Sequence, residues 1–281
     1  MISRRWLTVL ACALFATWGT RAFADDSANQ PPPQAEAAAL PQSDQIKSLE
    51  IFPTQIALKG IDDSQQLVVT ANLGDRDQDL TGNVRYEVSD PAVVRVTKAG
   101  RILPLANGAA DVQVIYGDKS ISVRVSTSAC DVSLPLNFTN HIVPIFTKLG
   151  CNGGGCHGKS GGQNGFAISL LGFVPEMDYA ALVKEARGRR LLPASPDNSL
   201  LLLKTAGVVA HAGGKRMEVD SDDYKILRRW IASGAPFGSP SDPFVTKITV
   251  FPERRVLTRE NQQQFAVRAH YSDGTVADVT Q

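Results

Sequence analysis

One five-residue pattern occurs twice in this chain, far apart, and the sequence between the two copies has a different texture from either. Leu49-Glu50-Ile51-Phe52-Pro53 returns as Ile248-Thr249-Val250-Phe251-Pro252, and Gln66-Leu67-Val68-Val69-Thr70-Ala71 returns as Gln264-Phe265-Ala266-Val267-Arg268-Ala269. Both copies then run into an acidic turn, Gly74-Asp75 and Ser272-Asp273-Gly274. A repeated supersecondary unit separated by unlike sequence requires several modules rather than one core.

The first copy continues in short alternating runs, among them Val84 to Val88, Val93 to Val96, Ala110 to Val114 and Ile121 to Val125, separated by Gly, Asp, Asn and Pro. Alternation of period two broken by turn residues predicts an antiparallel sandwich of roughly seven strands. The second copy reaches Gln281 near the position that matches the region before Tyr86. It lacks counterparts for about forty residues, more than half its strands, so an incomplete second sandwich belonging to a longer protein is expected.

Between the copies the period turns helical. Ile142, Ile145, Phe146 and Leu149 make an apolar face that leads straight into Cys151, with Pro144 tolerated in the first turn. Asp220 or Ser221 caps a predicted helix carrying Tyr224, Ile226, Leu227, Trp230 and Ile231 inward, which Gly234 and Pro236 stop. Two shorter helices are predicted over Tyr179–Ala186 and Asp197–Lys204. Phe146 and Trp230 are the expected contact where the first and last helices cross.

At the centre lies Cys151-Asn152-Gly153-Gly154-Gly155-Cys156-His157. Two thiols followed at once by a histidine are what covalent haem needs: the thiols add to the vinyl groups and the imidazole becomes the proximal iron ligand. The usual gap between the cysteines is two residues, and here it is four. Glycine tolerates positive φ, which would let the extra residues bulge while the thiols keep their reach. Two other readings compete. The cysteines could form a loop disulfide, which leaves His157 and the glycines without a role. Cys151, Cys156, His157 and the remote His211 could ligate zinc, although adjacent Cys156 and His157 crowd a tetrahedral site.

Charge separates few function classes. The net charge is +1, and no basic patch points to nucleic acid. Residues 1–24 read as a secretory signal, with Arg4 and Arg5 ahead of an apolar run from Trp6 to Trp18 and Ala22-Phe23-Ala24 as the cleavage site. The run is short for a membrane span, so cleavage is expected, with no transmembrane segment afterwards. Cleavage removes Cys12 and leaves Cys130 as an odd thiol, read as a small buried residue. Residues 25–44, with Pro31-Pro32-Pro33 and many alanines, read as a linker. No Ser/His/Asp set, carboxylate pair or phosphate loop suggests catalysis in this chain.

Two resemblances sharpen this reading. Tyr86-Glu87-Val88-Ser89-Asp90-Pro91-Ala92-Val93-Val94-Arg95-Val96, followed by Gly100-Arg101-Ile102-Leu103-Pro104 and Gly108-Ala109-Ala110, resembles the group 2 bacterial immunoglobulin-like (Ig-like) domain over residues 45–127. Such domains imply spacer or adhesion roles. The stretch from Phe138 to Pro236 resembles planctomycete-type cytochrome C domains through Cys156-His157-Gly158, Gly165-Phe166, Ser169-Leu170-Leu171-Gly172, Asp178-Tyr179, Arg187-Gly188-Arg189-Arg190, His211-Ala212-Gly213-Gly214-Lys215-Arg216 and Trp230-Ile231-Ala232-Ser233-Gly234-Ala235-Pro236.

Taken with the motif, this second resemblance implies a mainly α-helical cytochrome c-like domain over 128–240 with one covalent haem c on Cys151 and Cys156 and His157 as proximal ligand. Met217 is the expected distal ligand, because small cytochromes c offer a methionine just before the last helix. His211, in the His-x-Gly-Gly-x-Arg stretch, is the alternative. Arg187, Arg189 and Arg190 suit haem propionates, and a solvated basic turn explains them as well. The expected whole is an exported, periplasmic or cell-surface protein: an all-β Ig-like sandwich, a helical haem domain carrying single electrons to a redox partner, and the start of a second sandwich over 241–281. The alternative function is a structural or adhesive surface protein whose Cys/His loop binds zinc or forms a disulfide.

Overall fold

The computed structural model describes residues 40–257 and 261–280. The expected signal sequence, its cleavage site and most of the linker lie outside the described residues.

The first module is all β. Its strands are β1 (Ser48–Phe52), β2 (Gln55–Lys59), β3 (Gln65–Gln66), β4 (Val68–Asn72), β5 (Asp77–Asp79), β6 (Arg85–Val88), β7 (Val94–Val96), β8 (Arg101–Pro104), β9 (Gly108–Tyr116) and β10 (Lys119–Ser128). They form sheets of order β1-β4-β5, β2-β10-β9-β6 and β3-β8-β7. All pairings are antiparallel except β2 with β10. Alternation decides which side chains go inside: Ala110, Val112 and Val114 of β9 and Val123 and Val125 of β10 are buried while the residues between them face out. They meet Ile51, Val69 and Ala71 from the opposing sheet in one core. Tyr86, whose hydroxyl donates to Thr81 O at 2.8 Å, ties a turn to that core.

The middle module is helical but more broken than its apolar period suggests. A π-helical turn at Phe138–Ile142 runs into α1 (Val143–Lys148), with Pro144 in its first turn. The segment expected as one helix over Tyr179–Ala186 divides into α2 (Pro175–Tyr179), a π turn at Ala180–Lys184 and a 3-10 turn at Glu185–Gly188. Ala186 and Arg187 there take φ of 52° and 60°, which no α-helix continues. Then follow α3 (Leu200–Thr205) and α4 (Asp222–Ala232). Ser221 caps α4, its side chain accepting from Tyr224 N, and Asp222 and Asp223 suit the positive end of the helix dipole.

Trp230 is fully buried and donates from Nε1 to Pro236 O at 2.8 Å. Phe138 stands at the aromatic centre where Phe146 was expected to meet Trp230: its ring lies 5.6 Å from Trp230, 6.5 Å from Phe146 and 5.3 Å from Tyr179.

The repeat reappears as β11 (Val245–Phe251), β12 (Ala266–Tyr271) and β13 (Val276–Asp278), one antiparallel sheet in that order. It packs on the first copy. Phe52 stacks on Phe251 with ring centres 4.0 Å apart, Arg255 pairs with Asp77 at 2.6 Å, and Asp278 accepts from Gln65 Nε2 at 2.7 Å and Gln66 N at 3.0 Å. Arg229 of α4 bonds Asp62, Ser133 Oγ and Leu134 O, which joins the helical module to the sandwich.

Candidate functional site

Helix α1 delivers Cys151, whose N–H donates to Phe146 O at 2.8 Å. The loop beyond is wound into consecutive turns: Gly153 N to Gly150 O, Cys156 N to Gly153 O, His157 N to Cys151 O and Gly158 N to Gly153 O, all between 3.0 and 3.2 Å. Gly153, Gly154 and Gly155 do not use positive φ, contrary to the expectation of a left-handed bulge. Of the three, only Gly153 is crowded, a Cβ there standing 3.2 Å from Gly150 O, while Gly155 has open space around it. The residue for which glycine is indispensable is Gly158, where a Cβ would stand 1.9 Å from Asn152 O. Asn152 is 1% exposed and acts as the hub of the loop, donating from Nδ2 to Thr147 Oγ1 and accepting at its backbone oxygen from Leu171 N.

His157 and His211 meet. Their ring centres are 6.3 Å apart and their planes differ by 7°. Each ring is fixed from behind in the same way: His157 Nδ1 lies 2.9 Å from Phe166 O, and His211 Nδ1 lies 3.0 Å from Gly214 O. A carbonyl only accepts, so each Nδ1 carries a proton, and in the neutral ring Nε2 is then the nitrogen with the lone pair. The ring of His211 folds back over Gly213, where a Cβ would come within 2.9 Å of Cε1. Burial, foremost, holds the His157 pKa below its ordinary value, and the nearby His211, Arg190 and Lys204 add to this while Phe166 O opposes it.

Burial likewise pushes the Cys151 thiol up to about 11, with Arg216 pulling the other way. Cys151, Cys156 and Cys130 are all free thiols. Arg216 Nη2 approaches Cys156 Sγ at 3.8 Å.

Met217 is placed elsewhere. It is 6% exposed, in the core with Leu202, Leu227 and Trp230, and its N–H, like that of Arg216, bonds Thr205 O on α3. Arg190 is 5% exposed and donates to Ala181 O, Glu185 O and Gly165 O. It holds backbone in place rather than forming the solvated turn considered from sequence, whereas Arg187 and Arg189 are exposed. No group of three or more His, Cys, Asp or Glu side chains converges among the described residues, so the four zinc candidates do not close into a tetrahedral set.

Several shaping residues escaped the reasoning from spacing. Asp178, 2% exposed, accepts from Ser169 N and from Ser169 Oγ. This holds an apolar ledge at 170–174 beside the loop, with Leu170 52%, Leu171 63% and Phe173 89% exposed around an open groove of about 460 Å³. Ser169, Asp178, Phe166 and Arg190 all fall within the stretches that carry the cytochrome-domain resemblance, which is the signal that could have found them.

The sandwich that precedes this site can be assigned. Residues 45–126 match the bacterial Ig-like domain (group 2) family. An S-layer-related protein of Niallia circulans is 39% identical to this chain over 67 residues, 24% of this chain and 4% of that protein. Among solved structures, domains 5-6 of the S-layer protein SbsC are 19% identical over 33% of this chain and 47% of theirs, with a TM-score of 0.26. A longer SbsC structure is 18% identical over 33% of this chain and 14% of its own, also at 0.26. The chain thus spans a small part of the curated relative and less than half of either structure. The group 2 Ig-like module accounts for the first third of the described chain and contains none of the residues of the Cys/His site.

Proposed function

We propose that residues 128–240 hold one haem c, joined through Cys151 and Cys156 and ligated by His157 and His211, in an exported protein whose Ig-like modules set that site out from the cell surface. The observation that carries this reading is the parallel imidazole pair. A metal–imidazole bond is about 2.0–2.1 Å, and a ring nitrogen lies roughly 1.1 Å from the ring centre, as C–N bonds of about 1.33 Å in a five-membered ring require. Two imidazoles on opposite sides of one metal therefore have centres roughly 6.3 Å apart, and His157 and His211 stand at 6.3 Å with nearly parallel planes.

The residues present fit the group. In the neutral rings both Nε2 atoms carry the lone pair, both thiols are free, and the exposed ledge at Leu170, Leu171 and Phe173 offers the apolar surface a macrocycle needs. Bound there, haem would supply one-electron redox chemistry. The chain's own part is to hold the protons on Nδ1 through Phe166 O and Gly214 O, to fix ring orientation and to keep water from one side. His211 rather than Met217 would be the second residue to hold the group, since Met217 packs in the core while His211 faces His157. A bis-imidazole pair gives a lower potential than a methionine ligand would.

The full chain, exported from a host with a c-type haem maturation system, is expected to be red and to keep its colour on a denaturing gel. His211→Ala should change the visible spectrum to that of a site lacking a strong sixth ligand, while Met217→Leu should leave it unchanged. A colourless protein refutes the haem reading.

A second reading has its own support. The family match and the S-layer-related relative concern the Ig-like module alone. For the chain as a whole they favour a structural protein associated with the cell surface. A colourless product retaining free thiols at Cys151 and Cys156 would carry that reading.

A further inference from the structure

Arg190 has no surface role, and Glu185, the acid that acts on its charge, does so through space rather than in a salt bridge. It is 5% exposed, its guanidinium is spent on three backbone carbonyls at 2.8 to 3.2 Å, and among the described residues no carboxylate forms a salt bridge with it. Its carbon Cζ lies 4.5 Å from the centre of the Phe166 ring, and that ring lies 4.7 Å from the centre of His157. The carbonyl of the same Phe166 fixes His157 Nδ1. One buried cation thus sits over the ring of the residue whose carbonyl orients the proximal imidazole. Lys204 and Arg216 also lie near the site, but both reach solvent and are screened.

We propose that Arg190 is a positioning residue that raises the reduction potential of the site: its buried charge, which no salt bridge neutralises, opposes the extra positive charge of the oxidised metal, and its bonds hold Phe166 against His157. This rests on the haem reading above. The two ring distances place the guanidinium no more than about 12 Å from a metal on His157 Nε2. Through an effective dielectric constant of about 20, a unit charge at that distance shifts a one-electron equilibrium roughly tenfold, or about 59 mV.

The test is the midpoint potential of the full, haem-loaded chain by spectroelectrochemistry, with Arg190→Gln and Arg190→Lys compared. Gln keeps amide donors for the carbonyls and loses the charge; Lys keeps the charge and loses the fork. Arg190→Gln is expected to lower the potential about tenfold in the ferrous-to-ferric ratio with its absorption spectrum retained, and Arg190→Lys to stay within a third of that shift. Equal potentials in both variants and the wild type overturn the assignment, as do equal shifts in both variants. If neither variant folds, Phe166→Leu, which leaves Arg190 in place but removes its platform, should lower the potential by a smaller amount, and an unchanged potential there overturns the assignment. A colourless wild type instead overturns the haem reading and this inference with it.

Discussion

Replacing Gly158 with alanine tests whether the loop is held by its own backbone. The new Cβ would stand 1.9 Å from Asn152 O, 2.6 Å from Asn152 C and 3.1 Å from Gly153 O. Carbon and carbonyl oxygen make close contact at about 3.3 Å, so the two strands of the loop must part by roughly 1.4 Å. No side chain can turn aside, because every clashing atom is main chain. Parting them breaks the bond from Leu171 N to Asn152 O and strains that from His157 N to Cys151 O. Each lost bond costs about 1 kcal/mol, and a stranded buried group about 1–3 kcal/mol more, which brings the expected loss to about 3 kcal/mol. Gly155→Ala is the control, since nothing lies within 4 Å of a Cβ there and its φ is ordinary; its effect should be within about 0.5 kcal/mol of zero. Trp230, fully buried in the same module and the one tryptophan outside residues 1–24, reports unfolding of this module by fluorescence. For a module of roughly 110 residues the midpoint of Gly158→Ala should fall by about 10–15 °C. Two variants within 1 kcal/mol of each other would refute the argument.

Further consequences concern the ledge, the contact between repeats and pH. Asp178→Ala strands the Ser169 N–H and hydroxyl in a buried site and should cost about 2–4 kcal/mol in urea unfolding, with Asp178→Asn milder; a loss under 1 kcal/mol contradicts the bracing role. A double-mutant cycle on Phe52 and Phe251, stacked at 4.0 Å, should give a coupling of about 0.5–1.5 kcal/mol, and strict additivity would mean that the copies do not dock in solution. Burial raises the Asp63 and Asp278 pKa values above 3.8, and the Asp278 charge adds to the rise at Asp63. A carboxyl whose folded-state pKa is raised stabilises fully below its unfolded value and loses that contribution as pH rises through the folded value. Measured against Asp278→Asn, the wild type should therefore lose stability as pH climbs from about 4; a relative gain over that range would show the sign to be wrong.

What the sequence determined by itself is the part governed by local period. Alternation along 84–125 places Val112, Val114, Val123 and Val125 inward, since a strand turns successive side chains to opposite faces whatever it pairs with. The cap at Ser221 and the apolar face through Leu227, Trp230 and Ile231 are equally local. Cys151, Cys156 and His157 were legible as a cluster because they are neighbours in the chain. The partner of His157 was not. Met217 and His211 both sit at plausible distances along the sequence, and only the folded backbone decides that Thr205 O anchors the segment so that Met217 enters the core while His211 turns back over Gly213 to face His157. The roles of Arg190 and Asp178 were hidden for the same reason: charged side chains read as solvated until the fold surrounds them with main-chain carbonyls or with a serine's N–H and hydroxyl. Period and neighbourhood are properties of the chain, whereas the pairing of distant groups depends on where tertiary packing brings the backbone together.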